Sequence, residues 1–199
     1  MTQFYYNVRK FGGPIVRLLF RFKCCDFNKI PDKGAAVVCC NHTSLTDIIM
    51  LVVGVKHRQL FFMAKKELFD NKIAGWFFTK MGGFPVNREG SDMGAIKKAQ
   101  NIIKEGKLLC IFPEGTRSKD GKIHKGKAGA ALVALGTKSP VIPISIYRKG
   151  RPGLFNRTTL RCGDAVPYER LKELKAAGGL QASIDAVMEK ITAQWEMEH

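Results

Sequence analysis

Residues 35–54, AAVVCCNHTSLTDIIMLVVG, decide the fold, because two apolar runs of different character are joined there by a short polar stretch. The first run, at 35–40, is short and rich in β-branched residues, which predicts a buried strand. The second run, at 45–54, is longer and predicts a helix. A strand followed directly by a helix is the repeating unit of α/β proteins.

The polar stretch at 41–44 is then the turn between strand and helix. Thr43 or Ser44 would serve as the N-cap of the helix. His42 would lie in the turn and Asp47 in the first turns of the helix. In sheets of this kind, functional groups collect where strands end and helices begin, so this turn is the first place to look for chemistry.

The same alternation of short apolar runs and helical segments continues along the chain. Strands are predicted at 36–40, 61–64, 84–86, 108–112, 141–147 and 158–162. Helices are predicted at 45–53, 73–81, 91–104 and 127–135, and a strongly amphipathic helix ends the chain. This pattern predicts an α/β fold with a largely parallel central sheet flanked by helices.

The composition sets limits on size and partners. With 199 residues, 45% of them apolar, the chain can fill one core, and we expect an N-terminal amphipathic interfacial segment at 1–25 and one domain at 26–199. The formal net charge of +16 indicates an anionic partner: nucleic acid, an acidic membrane surface or a phosphorylated small molecule. Because the basic residues are dispersed and form no recognition element, we expect no nucleic-acid partner.

The N-terminal segment mixes apolar and basic side chains. Pro14 follows two glycines and predicts the start of a helix, with Arg17 and Arg21 away from its apolar stripe. That stripe consists of Ile15, Leu18, Leu19 and Phe22. Such a helix suits a membrane interface or the core of its own domain. Basic residues interrupt the apolar runs, so we expect the segment to dock on a bilayer without crossing it.

His42 and Asp47 admit four interpretations: a structural pair, a metal site with the nearby cysteines, a nucleophile with its base, or a base with its orienting carboxylate. No G-x-S-x-G surrounds a serine, and no H-E-x-x-H or paired-cysteine motif supplies metal ligands. Cys40 is predicted inside a buried strand, where a thiol is inert. The pair itself leaves a structural bond and a general base both open.

Two further polar loops follow predicted strands. IFPEGTRSKDGK at 111–122 does not have the spacing of a P-loop, but Glu114, Arg117 and backbone N–H groups there would bind a phosphate or hydroxyls. MGGFPVNRE at 81–89 places Arg88 at the end of a short strand. Taken separately, each loop is equally compatible with a solvated, charged surface.

Taken in order, four motifs resemble those of the glycerolipid acyltransferase family, and within it the lysophosphatidate acyltransferases. They are N-H-x4-D at 41–47, G-x-x-x-V-x-R at 82–88, F-P-E-G-T-R-S at 112–118 and V-I-P-I at 141–144. The resemblance implies transfer of a fatty acyl group from acyl-CoA or acyl carrier protein to the sn-2 hydroxyl of 1-acyl-sn-glycerol-3-phosphate, giving phosphatidate. Another lysophospholipid or a lyso-aminolipid as the acceptor is the alternative.

The resemblance also implies roles for individual residues. His42 would be the general base and Asp47 its orienting partner, with no acyl-enzyme. The residues implied to bind the acceptor are Arg88, Glu114, Gly115, Thr116 and Arg117. Residues 141–144 would help to shape the site or an acyl channel. We add Lys65 as a further anion contact from its place after a predicted strand. The resemblance implies neither a cofactor nor a metal.

The expected location follows from the expected substrates. CoA and carrier protein are cytosolic, so the resemblance implies a peripheral or monotopic protein at the cytoplasmic face of the cell membrane. An anionic bilayer surface, together with anionic substrates, would account for the positive charge. The segment IAGWFFTKM at 73–81 carries three aromatic residues suited to the interface and would assist docking.

Overall fold

The structure, a computed structural model, describes residues 1–87, 92–150 and 152–198. Its strands are β1 Phe22–Cys25, β2 Ala36–Cys40, β3 Leu60–Lys65, β4 Gly83–Val86, β5 Leu108–Ile111, β6 Val141–Arg148 and β7 Thr158–Cys162. Its helices are α1 Gln3–Phe20, α2 Thr46–Gly54, α3 Lys72–Lys80, α4 Met93–Lys104, α5 Gly129–Gly136 and α6 Tyr168–Glu196.

Within the described residues, seven strands form one sheet in the order β1-β7-β6-β2-β5-β3-β4. Every neighbouring pair is parallel except β6 and β7, which are antiparallel. The prediction of an α/β fold with a largely parallel sheet is therefore confirmed. Strands β2 to β6 all end at one edge of the sheet, which we call the carboxyl edge, and begin at the opposite, amino edge.

Strand β2 forms the centre of the sheet. It pairs with β5 on one side and β6 on the other, and all five of its residues are fully buried. Val38 and Cys40 pack into the core shared with α1 and α2, whereas Val37 and Cys39 pack into the core shared with α4, α5 and α6. A continuous apolar run is what a strand covered by helices on both faces requires.

Helix α1 is longer than the sequence indicated. It begins at Gln3, where the Thr2 hydroxyl accepts a hydrogen bond from the N–H of Tyr5, and Pro14 lies inside it. The predicted start at Pro14 is wrong because Tyr5, fully buried against the core, holds an earlier start in place. The Tyr5 hydroxyl accepts from the N–H of Leu60 at 3.2 Å, and burial raises the pKa of Tyr5 to about 12.

The segment 1–25 ends in strand β1, which the sequence did not predict. β1 is four residues long and pairs in parallel with β7 at the edge of the sheet. The segment is therefore joined to the domain at Tyr5 and again at β1. None of the helices in the described parts of the chain combines the length and apolar character needed to cross a membrane.

Helix α6 covers the core that one face of the sheet shares with α4 and α5, as its amphipathic pattern predicted. Ile184, Val187, Met188 and Ile191 are buried against the sheet and α5. Gly178 and Gly179 have non-helical backbone angles, and a bend there separates the first turns of α6 from the packed part.

Candidate active site

His42 and Asp47 meet at the carboxyl edge, where β2 ends and α2 begins. Nδ1 of His42 lies 2.9 Å from Oδ2 of Asp47, and the same oxygen accepts from the N–H groups of Thr43 at 2.7 Å and Ser44 at 2.8 Å. Both side chains are buried, with 7% of His42 and 0% of Asp47 exposed. Their predicted positions, before the helix and in its first turn, are confirmed.

The electrostatic balance at Asp47 favours the carboxylate. Burial on its own would raise the pKa of Asp47. The hydrogen bond from His42 and the charge of Arg148 oppose that effect, and the N–H groups of Ser44 and Thr43 add to the opposition. Together they hold the pKa of Asp47 below its usual value, so Asp47 is ionised at neutral pH and can fix the Nδ1–H tautomer of His42.

The predicted capping by Thr43 or Ser44 is confirmed for Ser44. The Ser44 hydroxyl accepts from the N–H of Thr46, the first residue of α2, at 3.2 Å. Leu45, which lies between them, makes no side-chain hydrogen bond at the helix start. Because Asp47 takes up the N–H groups of the turn, the shape of the turn and the orientation of the carboxylate depend on each other.

Asn41 fixes the other end of the turn to the sheet. Its side-chain amide donates to the carbonyl of Ile146 at 3.0 Å, and its carbonyl oxygen accepts from the N–H of Ile146 at 2.7 Å. Both groups are buried, so water does not compete for these hydrogen bonds. Asn41 therefore continues the pairing of β2 with β6 by one more residue and holds His42 at the edge.

The loop after β5 encloses His42 from the opposite side. The Phe112 ring stacks on the imidazole, with ring centroids 4.0 Å apart and an angle of 19° between the planes. Glu114 is buried: its Oε1 accepts from the N–H of His42 at 2.8 Å, and its Oε2 accepts from the N–H of His124 at 3.2 Å. The N–H of Ser118 donates to the carbonyl of His42 at 2.8 Å. The backbone of His42 is thus held at both its N–H and its C=O.

Glu114 was expected to bind the acceptor, and that role stays a prediction. Burial raises the pKa of Glu114, although the N–H groups of His42 and His124 act in the opposite direction. Both carboxyl oxygens already accept from the backbone of this chain. The arrangement gives Glu114 a direct part in positioning His42.

Gly115, Thr116 and Arg117 follow on the same loop, and Thr116 and Arg117 are exposed. Gly115 has a φ of +76°, and a Cβ atom there would lie 3.2 Å from the side chain of Lys127. Lys127 therefore lies directly against the loop, although no motif in the sequence indicated it. The positive φ favours glycine at 115, and any other side chain there would also displace the end of Lys127.

A groove of about 160 Å³ opens beside His42. Its described lining is His42, Met63, Val86, Asn87, Cys110, Ile111, Phe112, Gly115 and Lys127. The groove has apolar walls from β3, β4 and β5, and a cation at the loop. We call the pair of His42 and Asp47 the dyad. Two larger clefts, of about 510 and 520 Å³, lie around Arg58 at the amino edge, and neither His42 nor Asp47 is in their described lining.

Three other predicted elements are not among the residues described at the groove. Arg88 falls outside the described residues. Lys65 is at the carboxyl edge, but its ammonium forms an ion pair with Glu67 at 2.9 Å and is not among the described lining of the groove. Residues 141–144 are buried within β6, so they support the centre of the sheet and do not line the groove.

Arg148 was missed by the sequence analysis, although it contacts the dyad. It is the last residue of β6, and its side chain is 5% exposed. Its guanidinium binds Oδ1 of Asp47 and the Thr43 hydroxyl, and lies 3.4 Å from the Thr46 hydroxyl. The available signal was its place at the end of the strand that begins with the fourth motif, but the neighbour of that strand was not known from the sequence.

The cysteines near the dyad are buried free thiols. Cys40 belongs to β2 and Cys110 to β5, and burial raises the pKa of both thiols well above the usual range. A thiolate nucleophile is therefore disfavoured beside His42. The described residues contain no group of three or more histidine, cysteine or acidic side chains arranged for a metal.

Comparison with known proteins places this arrangement in a family. The Acyltransferase family model matches residues 21–147, which include the dyad, the groove and all but the last residue of β6. The chain belongs to the acyltransferase family. In this acyltransferase, the described parts of all four motifs therefore lie inside the matched region.

Named relatives agree with that assignment. The acyltransferase is 41% identical over 141 residues to a 1-acyl-sn-glycerol-3-phosphate acyltransferase of Bacillus subtilis, a match that covers 65% of this chain and 69% of the relative. It is 35% identical over 174 residues to a protein of the same name from Streptococcus pneumoniae, covering 85% of this chain and 62% of that protein.

A solved structure extends the likeness to the fold. The 1-acyl-sn-glycerophosphate (LPA) acyltransferase PlsC from Thermotoga maritima matches with a TM-score of 0.77 and 26% identity. The match covers 98% of this chain and 79% of the other. The fold likeness thus extends beyond the family-matched region to helices α1 and α6.

Proposed function

We propose that this acyltransferase moves a fatty acyl group from a thioester donor, acyl-CoA or acyl carrier protein, to the sn-2 hydroxyl of lysophosphatidate, forming phosphatidate. The observation that carries the proposal is the buried contact of 2.9 Å between His42 and Asp47 at the groove. The names of the relatives support lysophosphatidate as the acceptor.

The proposed reaction needs no protein nucleophile. With Nδ1 held by Asp47, Nε2 of His42 is the nitrogen that takes the proton from the acceptor hydroxyl. The hydroxyl oxygen then attacks the thioester carbonyl, a C–O bond forms and the C–S bond breaks. The proton on His42 passes to the departing sulfur, so the products are the acylated lipid and a free thiol. Atoms and charge balance without an acyl-enzyme.

Residues around the dyad have supporting roles in the proposal. Asp47 selects the tautomer of His42 and stabilises the imidazolium that forms. Phe112 covers one face of the ring, and Glu114 holds the His42 backbone. Both limit the movement of His42, which keeps the base at a fixed distance from the acceptor hydroxyl.

The phosphate of the acceptor would bind at the loop end of the groove. Lys127 lines the groove, and the exposed side chain of Arg117 follows Gly115 on the adjoining loop. Thr116 offers a hydroxyl on the same loop. Charge-assisted hydrogen bonds from such a cluster are the usual way to hold a phosphate. Lys65 is shared with Glu67 and would contribute less.

Membrane docking would use an apolar surface formed by α1 and α3. Phe4, Phe11, Ile15 and Leu18 follow helical spacing along one stripe of α1, and the last three are exposed. Phe4 contacts Trp76 and Phe77 of α3, with ring centroids 5.1 and 6.1 Å apart. We call the exposed side chains of this surface the apolar face: Phe11, Ile15, Leu18, Ile73, Trp76 and Phe77.

Basic residues accompany the apolar face. The ammonium of Lys10 lies 5.7 Å from the centre of the Phe11 ring, and exposed lysines begin and end α3 at Lys72 and Lys80. Apolar side chains with a basic border suit an anionic bilayer. We therefore propose a peripheral or monotopic enzyme at the cytoplasmic face of the cell membrane, where thioester donors are available.

The test of the reaction is release of free thiol from acyl-CoA and from acyl carrier protein, with and without lysophosphatidate. We expect release that depends on the acceptor and falls about 10³-fold in His42→Ala. His57→Ala is the matched control, since His57 is exposed at the amino edge. Release with other lysolipids alone would reassign the acceptor, and no release with any of them would refute acyl transfer.

The test of docking is sedimentation with vesicles of phosphatidylglycerol and phosphatidylcholine. Trp76→Ser should weaken binding about tenfold, because a buried aromatic ring contributes about 1.5–3 kcal/mol and only part of Trp76 is exposed. Met197→Ser is the control, since Met197 is an exposed apolar residue at the end of α6, outside the apolar face. Equal binding by all three proteins would exclude the apolar face as the docking surface.

A further inference from the structure

The carboxylate of Asp47 divides its two oxygens between two partners. Oδ2 accepts from Nδ1 of His42 and from the N–H groups of the turn. Oδ1 binds the guanidinium of Arg148. A chain of three charged or titratable groups therefore runs from the end of β6 to the groove: Arg148, Asp47 and His42. The last two form the dyad.

Arg148 is fixed as firmly as Asp47. Its side chain is almost completely buried, and besides Asp47 it contacts the hydroxyls of Thr43 and Thr46. A buried guanidinium is costly unless it is paired, and a planar fork that contacts a carboxylate and two hydroxyls has little freedom to turn. The contact also restricts rotation of the Asp47 carboxylate, which keeps Oδ2 towards His42.

The charge of Arg148 has a second effect on His42. A lone buried carboxylate beside an imidazole strongly stabilises the protonated ring, and a protonated ring cannot act as a base. A cation on the far oxygen offsets part of the negative charge. Asp47 can then orient His42 and support the imidazolium in the transition state while part of its own charge is offset.

We propose that Arg148 is a positioning residue of the reaction, which acts through Asp47: it fixes the carboxylate and offsets part of its negative charge beside His42. This inference rests on the proposed function of His42. It assigns a role to a residue outside the four motifs and adds one positioning residue behind the pair of His42 and Asp47.

Other ionisable groups surround the dyad, and we expect their charge to stay the same when Arg148 is substituted. Glu114 lies beside the backbone of His42, and Lys127 lines the same groove. The thiols of Cys40 and Cys110 are neutral because burial raises their pKa well above the usual range. Loss of Arg148 therefore leaves the carboxylate of Asp47 without its guanidinium partner, while the charges of these other groups stay the same. His42 should then remain protonated to a higher pH.

The first test is the pH dependence of kcat/KM for acceptor-dependent thiol release. In Arg148→Gln the acid limb should move to higher pH by about one unit, with a fall in kcat larger than any rise in KM. Arg148→Lys retains the charge and should restore the position of the limb, although its rate stays below that of the unsubstituted enzyme. An equal loss of rate at every pH, with the limb unmoved, would overturn the proposal.

A matched control separates this effect from general destabilisation. Arg161 of β7 also binds carboxylates, those of Asp26 and Glu198, but it lies away from the dyad. Arg161→Gln should leave the acid limb in place. Arg148→Met, which also removes the charge but keeps much of the volume, carries the same expectation as Arg148→Gln and serves if the glutamine variant does not fold.

The second test does not depend on activity. In ¹⁵N-histidine-labelled protein, the His42 resonance is assigned by its absence in His42→Ala. Its titration should move to higher pH by about one unit in Arg148→Gln and by much less in Arg148→Lys. If the unsubstituted enzyme releases no thiol but this shift occurs, the proposed function fails and the coupling of Arg148 to His42 stands. If thiol is released but the titration does not move, the role of Arg148 fails alone.

Discussion

Two buried arginines lie at opposite edges of the sheet and have opposite kinds of partner. Arg58, at the amino edge, donates to the backbone carbonyls of Pro31, Gly34 and Gly106 at 3.0, 2.6 and 2.8 Å. Arg148, at the carboxyl edge, binds the carboxylate of Asp47. Both side chains are largely buried, so the kind of partner is what separates the structural role of Arg58 from the role proposed for Arg148.

The energetic setting of Arg58 supports this distinction. Its carbonyl partners lie in the loops that precede β2 and β5, so it joins the starts of two paired strands. Burial lowers the pKa of Arg58, and the nearby charge of Asp32 opposes that effect only in part. Two large clefts surround Arg58, yet no dyad lies there. Cleft volume is therefore a poor guide to the position of the candidate active site in this protein.

The largest effect that sharpens the comparison is expected for Asp47→Asn. An asparagine amide can donate to Nδ1 and so reverse the tautomer of His42, which removes the acceptor at Nε2. We expect kcat to fall on the order of 10²-fold. Initial rates of thiol release measure the fall, and circular dichroism confirms that the variant is folded. A variant that is folded and as active as the unsubstituted enzyme would break the link between the carboxyl edge and the chemistry.

The next effect is expected for Arg58→Ala, and it concerns stability. Three carbonyls lose a charged donor, so the free energy of unfolding should fall by about 2 kcal/mol, while kcat per folded molecule is unchanged. Urea unfolding and initial rates measure the two quantities. Arg170→Ala is the control, because the pair that Arg170 forms with Glu173 is exposed and its loss should have almost no effect. A specific loss of kcat in Arg58→Ala would contradict the distinction between the two arginines.

The smallest effect is expected in the pH dependence of stability. Because the pKa of Asp47 is lowered in the folded protein, its ionised form contributes stability above the pKa of an unfolded aspartate, near 3.9. That contribution is lost as pH falls through the folded pKa, so stability should decrease on acidification below about pH 4. The decrease should be smaller in Asp47→Asn. Urea unfolding at intervals from pH 6 to pH 2.5 measures it, and parallel curves for the two proteins would contradict the expectation.

The strands of the sheet were predictable because each is a continuous apolar run with polar boundaries. Those predicted agree with the structure to within one residue at each end, and helix α2 is displaced by one residue. A run that is buried on both faces carries its own signal in the sequence. The position of the dyad followed from the same local pattern, since His42 lies two positions after a strand and Asp47 lies in the first turn of a helix.

The errors occurred where distant contacts determine the local structure. β1 contains a lysine and is four residues long, and its strand conformation depends on pairing with β7, more than 130 positions away. The start of α1 depends on the burial of Tyr5, which no local pattern indicates. In both places tertiary contacts override the local preference of the sequence.

The same reason explains what was missing from the site. Arg148 contacts Asp47 only because β6 pairs with β2, and the order of strands was not part of the prediction. Lys127 comes close to Gly115 through the fold of the loop. The motif supplied Glu114, but not the fact that its oxygens accept from backbone N–H groups. Residues of the site could be selected from the sequence motifs, whereas their contact partners could be identified only once the order of the strands and the path of the loop were known.

The bond between Asn41 and Ile146 has a consequence for synthesis of the chain. The two residues are 105 positions apart, and Arg148 lies two positions after Ile146. A nascent chain therefore carries His42 and Asp47 long before the residues that fix them have left the ribosome. A chain released before β6 would contain His42 and Asp47 without the residues that hold them in place, so the proposed activity requires synthesis to have passed the end of β6.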